Sequence, residues 1–282
     1  MSSIQGKRVV ITGATSGIGR EAATRLASLG AHVVLACRDT VRGEQVADDI
    51  RARTGKDLAT VMQLDTSDAS SIDAFGAAYR STYRSLDVLV NNAGVVLATR
   101  DTSVDGIELT FATNVLGYFL VTTQLVDALR AAPAARVVNV ASTFAGDVDL
   151  DDLQFNRRPY DGLAAYAQSK ACDRMLSWAF ARRLRADSVT VNAMAPGLMV
   201  GTRLYRDLST DVRRDLEQLG GRTVPEGADT VVWLASSPDV DGVSGRFFEQ
   251  RADVACEFRD EVAEERLWDA CERLVRELEP QR

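Results

Sequence analysis

Val9-Val10-Ile11 runs directly into Thr12-Gly13-Ala14-Thr15-Ser16-Gly17-Ile18-Gly19, and Ile18, Ala22, Leu26 and Leu29 then recur at helical spacing up to Gly30. A β-rich run, a glycine turn and an amphipathic helix in that order commit the chain to a β-α start. Glycine lets the backbone turn tightly and approach a bound group closely. The helix behind it offers unpaired N–H groups and the positive end of its dipole. A pyrophosphate suits such a cradle, so Gly13, Thr15, Ser16, Gly17, Ile18 and Gly19 are candidate nucleotide-binding residues.

The same alternation continues. Apolar strand candidates fall at 8–12, 32–37, 59–64, 88–91, 136–141, 189–193 and 245–248, with helical patterns between them. Runs rich in Val, Ile and Leu without alternation are strands buried on both faces, as a parallel sheet requires. The expected architecture is α/β, a single doubly wound Rossmann-type parallel sheet flanked by helices. With 282 residues, 46% of them hydrophobic, the chain can fill one domain spanning 1–282. A formal net charge of −7 argues against nucleic acid, which needs clustered Lys and Arg. No unbroken run of 18 apolar residues occurs, so a soluble, cytoplasmic protein without a membrane span is expected. The four cysteines show no Cys-x-x-Cys pairing, which disfavours a zinc site, and no metal is expected. His32 is the only histidine, so chemistry built on several histidines is excluded.

Sheets of this kind bind ligands at the carboxyl ends of their strands. The second strand ends at Cys37-Arg38-Asp39 with Arg42 one turn later. A guanidinium pairs with a ribose 2′-phosphate, whereas a carboxylate would repel it, so Arg38 favours NADP(H) over NAD(H). Asp39 is suited either to cap the next helix or to contact the ribose. The third strand ends at Leu64-Asp65-Thr66, where Asp65 is placed to accept from an adenine amino group. It competes with Thr66 and Ser67 for capping the following helix. Asn91-Asn92-Ala93-Gly94, Asn139-Val140-Ala141-Ser142-Thr143 and Asn192-Ala193-Met194-Ala195-Pro196-Gly197 end the next three strands.

Tyr166 and Lys170 lie four apart in a helical segment and share one face. A nearby ammonium stabilises tyrosinate and lowers the phenol from its ordinary value near 10, which fits proton exchange near neutrality. Six tyrosines and three lysines in 282 residues give about 0.06 accidental Tyr-x-x-x-Lys matches. Ser142, at a strand end, strengthens the pattern.

Thr12-Gly13-x-x-x-Gly17-x-Gly19, Asp65, Asn91-Asn92-Ala93-Gly94, Asn114, Ser142, Tyr166-x-x-x-Lys170 and Pro196-Gly197 resemble, in order and approximate spacing, a short-chain dehydrogenase/reductase. The resemblance covers nearly the whole chain. Ala36-Cys37-Arg38-Asp39 with Arg42-Gly43-Glu44, Asp105-Gly106-Ile107-Glu108-Leu109-Thr110 and the tail around Glu265–Val275 are similar to retinol-dehydrogenase-like members. The resemblance implies a nicotinamide cofactor held by the glycine turn, Arg38, Asp65, Thr66, Asn92, Ala93, Gly94, Tyr166, Lys170, Pro196 and Gly197. It implies Tyr166 as general acid or base, Ser142 as hydrogen-bond donor to the substrate oxygen, and Lys170 as ribose ligand and phenol activator. Asn114 would anchor a water-linked proton relay. Homodimers or homotetramers are the assemblies common in such a family.

Substrate residues are expected from the loops after the fifth and sixth strands: Phe144, Leu153, Phe155 and Tyr160, then Leu198, Met199, Val200, Leu204 and Tyr205. Their apolar character suits a lipophilic carbonyl or alcohol, although packing against the sheet is an equally plain role for each. The stretch 198–221 reads as a lid, and 258–279 as an amphipathic helical extension bearing Val262, Leu267, Cys271, Leu274 and Leu278. That extension is suited to cover the pocket, to meet another subunit or to dock on its own domain. The expected activity is NADPH-dependent carbonyl reduction or alcohol oxidation. The alternatives are reduction of a conjugated C=C bond and a cofactor-binding regulator without turnover. A sugar-nucleotide epimerase or dehydratase would carry a different glycine spacing.

Overall fold

The computed structural model describes residues 4–199 and 202–278. Its strands β1 (Arg8–Thr12), β2 (His32–Cys37), β3 (Ala59–Gln63), β4 (Val88–Asn91), β5 (Ala135–Val140), β6 (Val189–Ala195), β7 (Phe247–Glu249) and β8 (Ala252–Val254) form one eight-stranded sheet. The order is β3-β2-β1-β4-β5-β6-β7-β8, parallel throughout except for the last pair. Val10 pairs with both Val34 and Leu89, which makes β1 an interior strand. From β1 the chain first winds outward through β2 and β3, then returns to β4 and winds the other way. The crevice at that reversal is where such sheets take ligands.

Two features depart from the expected pattern. The antiparallel edge strand β8 is an addition, three residues long with two exposed, and so carries no apolar run to announce it. The edge strand β3 is only partly buried. Elsewhere the strands have the buried character that double coverage demands, and their boundaries fall within two residues of those expected.

Helices α1 (Gly17–Ser28), α2 (Thr40–Thr54) and α8 (Val224–Ser236) cover one face, packing on Val9, Ile11, Val33 and Leu35. On the other face lie α3 (Ala69–Thr82), α5 (Gly117–Arg130) and α6 (Gly162–Arg183), over Val10, Val34, Leu89 and Val137. The short α4 (Leu109–Phe111) passes through a π-helical turn, Ala112–Leu116, into α5. Together Leu109–Arg130 is 22 residues with a window of mean hydropathy 1.3, long and apolar enough to cross a membrane, yet 78% of that window is buried inside the protein. Its apolarity is explained by its position between the sheet and two helices.

Helix α7 (Thr210–Gln218) and a 3₁₀ turn at Arg203–Tyr205 occupy the expected lid, while Val200 and Gly201 lie outside the described residues. The terminal helix α9 (Glu261–Leu278) docks on its own domain. Leu267 and Cys271 are fully buried, and Trp268 packs edge-on against Phe119 and Phe180 at centroid distances of 4.8 and 4.7 Å.

Candidate active site

A cleft of about 630 Å³ opens at the carboxyl ends of β1 to β6. Its floor is the glycine turn. Gly13 has φ +67°, and a Cβ there would stand 2.9 Å from the Ala93 Cα, so only glycine fits against the end of β4. Thr12 stitches the same two strand ends, its Oγ1 accepting from the N–H groups of Asn92 at 2.9 Å and Ala93 at 3.0 Å. Asn92 returns the contact by donating Nδ2–H to the Thr12 carbonyl at 2.8 Å. Gly19 does not line the cleft. A Cβ on it would meet Asn92 Nδ2 at 2.5 Å and the Gly13 carbonyl at 2.6 Å, so its part is to seat α1 against the turn. Gly13, Thr15, Ser16, Gly17 and Ile18 remain on the wall, a backbone cradle at a helix N-terminus that fits a dinucleotide pyrophosphate.

At the end of β2, Asp39 borders the cleft and caps α2, its carboxylate accepting the Arg42 N–H at 3.0 Å. Asp39 thus fills the capping role expected of it. Arg38 and Arg42 border the opening as well. Arg42 donates to the Thr15 carbonyl at 3.3 Å, and Arg38 stands 3.6 Å from Asp65 with two-thirds of its side chain exposed. Asp65 accepts from the N–H and hydroxyl of Ser67, and Thr66 lines the cleft beside it. None of Asp65, Thr66 and Ser67 caps the next helix. Asp68 does, receiving the N–H groups of Ser70 and Ser71.

Ser142, Tyr166 and Lys170 come together on the far wall, with Asn92, Ala93, Gly94, Pro196 and Gly197 completing the cleft. Lys170 Nζ lies 5.8 Å from the Tyr166 ring centroid and 5.2 Å from that of Tyr118. It donates to the Val140 carbonyl at 3.0 Å and to Asp173 Oδ2 at 2.8 Å. Burial pushes the Tyr166 phenol up to about 12. A hydrogen bond with Ser142 pulls it down, and the Asp173 carboxylate adds to the rise. Burial dominates, so the phenol stands above its ordinary value, and the nearby ammonium faces a carboxylate. Burial also works against the charge on Lys170, but Asp173 and Tyr118 together more than offset it and the ammonium is retained.

Asn114 sits on the π-helical turn, a feature often found at functional sites. Its Oδ1 accepts the Val95 N–H at 2.9 Å, and its Nδ2 donates to the Val95 carbonyl at 3.0 Å and to Ser169 Oγ at 2.9 Å. Both amide hydrogens are engaged, so the side chain clamps the β4 loop to α6. A second buried polar chain lies beneath it. Asn91 Nδ2 donates to Thr122 Oγ1 and Asn139 Oδ1, Asn139 to Ser177 Oγ, and Ser177 to the Asp173 carbonyl.

Of the expected substrate residues, Phe144, Leu198, Met199, Leu204 and Tyr205 line the cleft. Phe144 lies nearly parallel to Tyr166 at 6.5 Å, and Leu204 and Tyr205 join Leu163 and Val96 in an apolar patch against it. Phe155 and Tyr160 do not line it. Phe155 is buried under the Arg158 guanidinium, and Tyr160 donates to Glu108 and meets the Thr110 hydroxyl at 3.1 Å. The two rings also meet edge-on, anchoring their loop to the base of α4, and Leu153 is buried in the core beside them.

Two functional-looking residues escape the sequence patterns. Asp173 lies one turn beyond Lys170 on the same helix face, an i, i+3 spacing that was there to be read. Arg174, stacked 3.9 Å from the Phe247 ring centroid, donates to the Ser142 carbonyl and carries no comparable signal.

A family model described as short chain dehydrogenase matches residues 7–213. A probable oxidoreductase of Streptomyces antibioticus is 39% identical over 94% of this chain and 96% of its own length. Human retinol dehydrogenase 13 is 36% identical over 97% of this chain and 86% of its own. The crystal structure of an uncharacterized protein from Mycobacterium Paratuberculosis superposes with a TM-score of 0.78 at 31% identity, covering 98% of this chain and 96% of that one. A match of this extent to both profile and relatives means that the chain belongs to the short-chain dehydrogenase/reductase family, oxidoreductases that bind nicotinamide cofactors, and to its retinol-dehydrogenase-like branch.

Proposed function

We propose that this protein interconverts a lipophilic carbonyl compound and its alcohol, with NADP(H) as the preferred cofactor and Tyr166 as the proton carrier. The observation that carries the reading is the meeting of Ser142, Tyr166 and Lys170 on one wall of a cleft whose other end is the glycine cradle. Bound nicotinamide supplies or accepts the hydride at the substrate carbon. The chain's own residues handle the oxygen. In reduction, the Tyr166 phenol gives its proton to the carbonyl oxygen while the Ser142 hydroxyl donates a hydrogen bond to the same atom. In oxidation, the phenol takes that proton back. Lys170 supplies the positive charge that favours the phenolate. Phe144, Leu163, Leu204 and Tyr205 surround the phenol with apolar surface, which favours a lipophilic substrate and keeps water away. Two guanidiniums at the cleft edge, with Asp39 turned into a helix cap, support preference for the 2′-phosphorylated cofactor.

The test is cofactor consumption, NADPH and NADH in parallel, against apolar ketones, aldehydes, quinones and enones. Turnover on carbonyls is expected, faster with NADPH. Tyr166→Phe should keep the fold and cofactor binding while lowering turnover by at least ~10²-fold. Saturated ketone as the enone product would shift the assignment to C=C reduction. Turnover retained within twofold in Tyr166→Phe would remove the phenol from proton transfer.

A further inference from the structure

Asp173 is a carboxylate that ordinary scaffolding does not explain. Its side chain is entirely buried in the middle of α6, and its one hydrogen-bonded side-chain partner among the described residues is Lys170, at 2.8 Å. The second carboxylate oxygen, Oδ1, is buried with no hydrogen-bond partner. A buried acid kept for structure normally has both oxygens satisfied, because an unpaired one costs free energy. This acid is instead committed to one ammonium. That ammonium is held on a second side by the Val140 carbonyl and lies below the rings of Tyr118 and Tyr166.

Resting on the proposed role of Tyr166, we propose that Asp173 is a positioning residue: it pins Lys170 against the end of β5 and offsets the positive charge that the phenol meets. The groups facing this cluster are few. Tyr118 approaches from α5, its hydroxyl bonded to the Val140 carbonyl, and Ser142 from the loop after β5. Tyr205 approaches from the lid. Arg174, next in sequence, sends its guanidinium the other way, to the Ser142 carbonyl and the Phe247 ring. The Asp173 carboxylate is therefore the one acidic group set against Lys170 among the described residues, and its charge raises the Tyr166 phenol. Burial lifts Asp173 itself to about 6, Lys170 opposing, so it carries its charge above that pH.

The sign follows directly. Removing a negative charge from a buried cluster makes loss of the phenol proton easier. Asp173→Asn should therefore lower the pH at which Tyr166 titrates, by about one unit. Two measurements read it. The first is ultraviolet tyrosinate titration of the cofactor-free chain, with Tyr166→Phe subtracted to isolate the one phenol. The second is the pH profile of kcat/KM, whose limb should move to lower pH in either reaction direction. Asp173→Ser should show the same shift. Unchanged titration in a folded Asp173→Asn chain would overturn the proposal. So would a folded Asp173→Ser chain whose Tyr166 titrates where it does in the native chain. Activity surviving in Tyr166→Phe would overturn the role of the phenol in turnover, whereas the cofactor-free titration would still decide Asp173.

Discussion

Arg38 illustrates how much a single exposed side chain can decide. Its contact with Asp65 at 3.6 Å is long and its own side chain two-thirds exposed, so the pair contributes little to stability and leaves the guanidinium available to a ligand. Arg38→Asp should lower the NADPH-over-NADH ratio of kcat/KM by roughly tenfold or more, the worth of a charge-assisted hydrogen bond, with little change in unfolding. An unchanged ratio would assign the 2′-phosphate to Arg42. Residues of this kind are legible because strand ends in a doubly wound sheet must face the crevice. Tyr166 and Lys170 are legible for a related reason, since helical spacing alone sets them on one face. Phe155 and Tyr160 are not. They lie in an irregular loop, where side-chain direction is set by partners far away in sequence, here Arg158, Glu108 and Thr110. Lys170 shows a third case: its position was readable, but the burial that raises the nearby phenol, and the carboxylate that faces the ammonium, arise only in the fold.

Among the elements, α2 depends visibly on its cap. Asp39 accepts the Arg42 N–H at 3.0 Å, and Gly55 closes the other end in the left-handed conformation. Asp39→Ala should destabilise the protein by about 1 kcal/mol in urea unfolding, and a stability unchanged within error would show that the cap is redundant. Four candidates for capping α3 stand within four residues, and composition does not distinguish them. Asp68 takes the position because it directly precedes the first helical residue, Ala69, while Asp65 accepts the hydroxyl and N–H of Ser67. The π-helical turn at Ala112–Leu116 was equally hidden. Its residues fit an ordinary helix, and one extra backbone step becomes visible only when Asn114 is seen bridging to Val95 and Ser169.

Across the molecule as a whole, α9 seals the layer containing α5 and α6. Leu267 is fully buried there, and Arg182 and Arg183 of α6 reach Glu264 and Glu265 across the contact. Leu267→Ala should destabilise the protein by about 3 kcal/mol, whereas Val262→Ala, on the same helix but exposed, should stay within about 0.5 kcal/mol. Equal effects in thermal and chemical unfolding would mean that α9 is not docked as described. The amphipathic stripe revealed the helix but not its partner, since a stripe fits any apolar surface of matching width.

The amide and hydroxyl chain from Asn91 through Asn139 to Ser177 has a consequence for alignment. Oily surfaces slide past one another at little cost, whereas hydrogen bonds between fixed donors and acceptors are made in one position or not made. These contacts therefore act as a locating pin between α6 and the two central strands. They fix the rotational phase of the helix, and with it the height of Tyr166 above the crevice. Repacking the surrounding apolar layer would then change how firmly the molecule holds together, while leaving the aim of its phenol where the pin sets it.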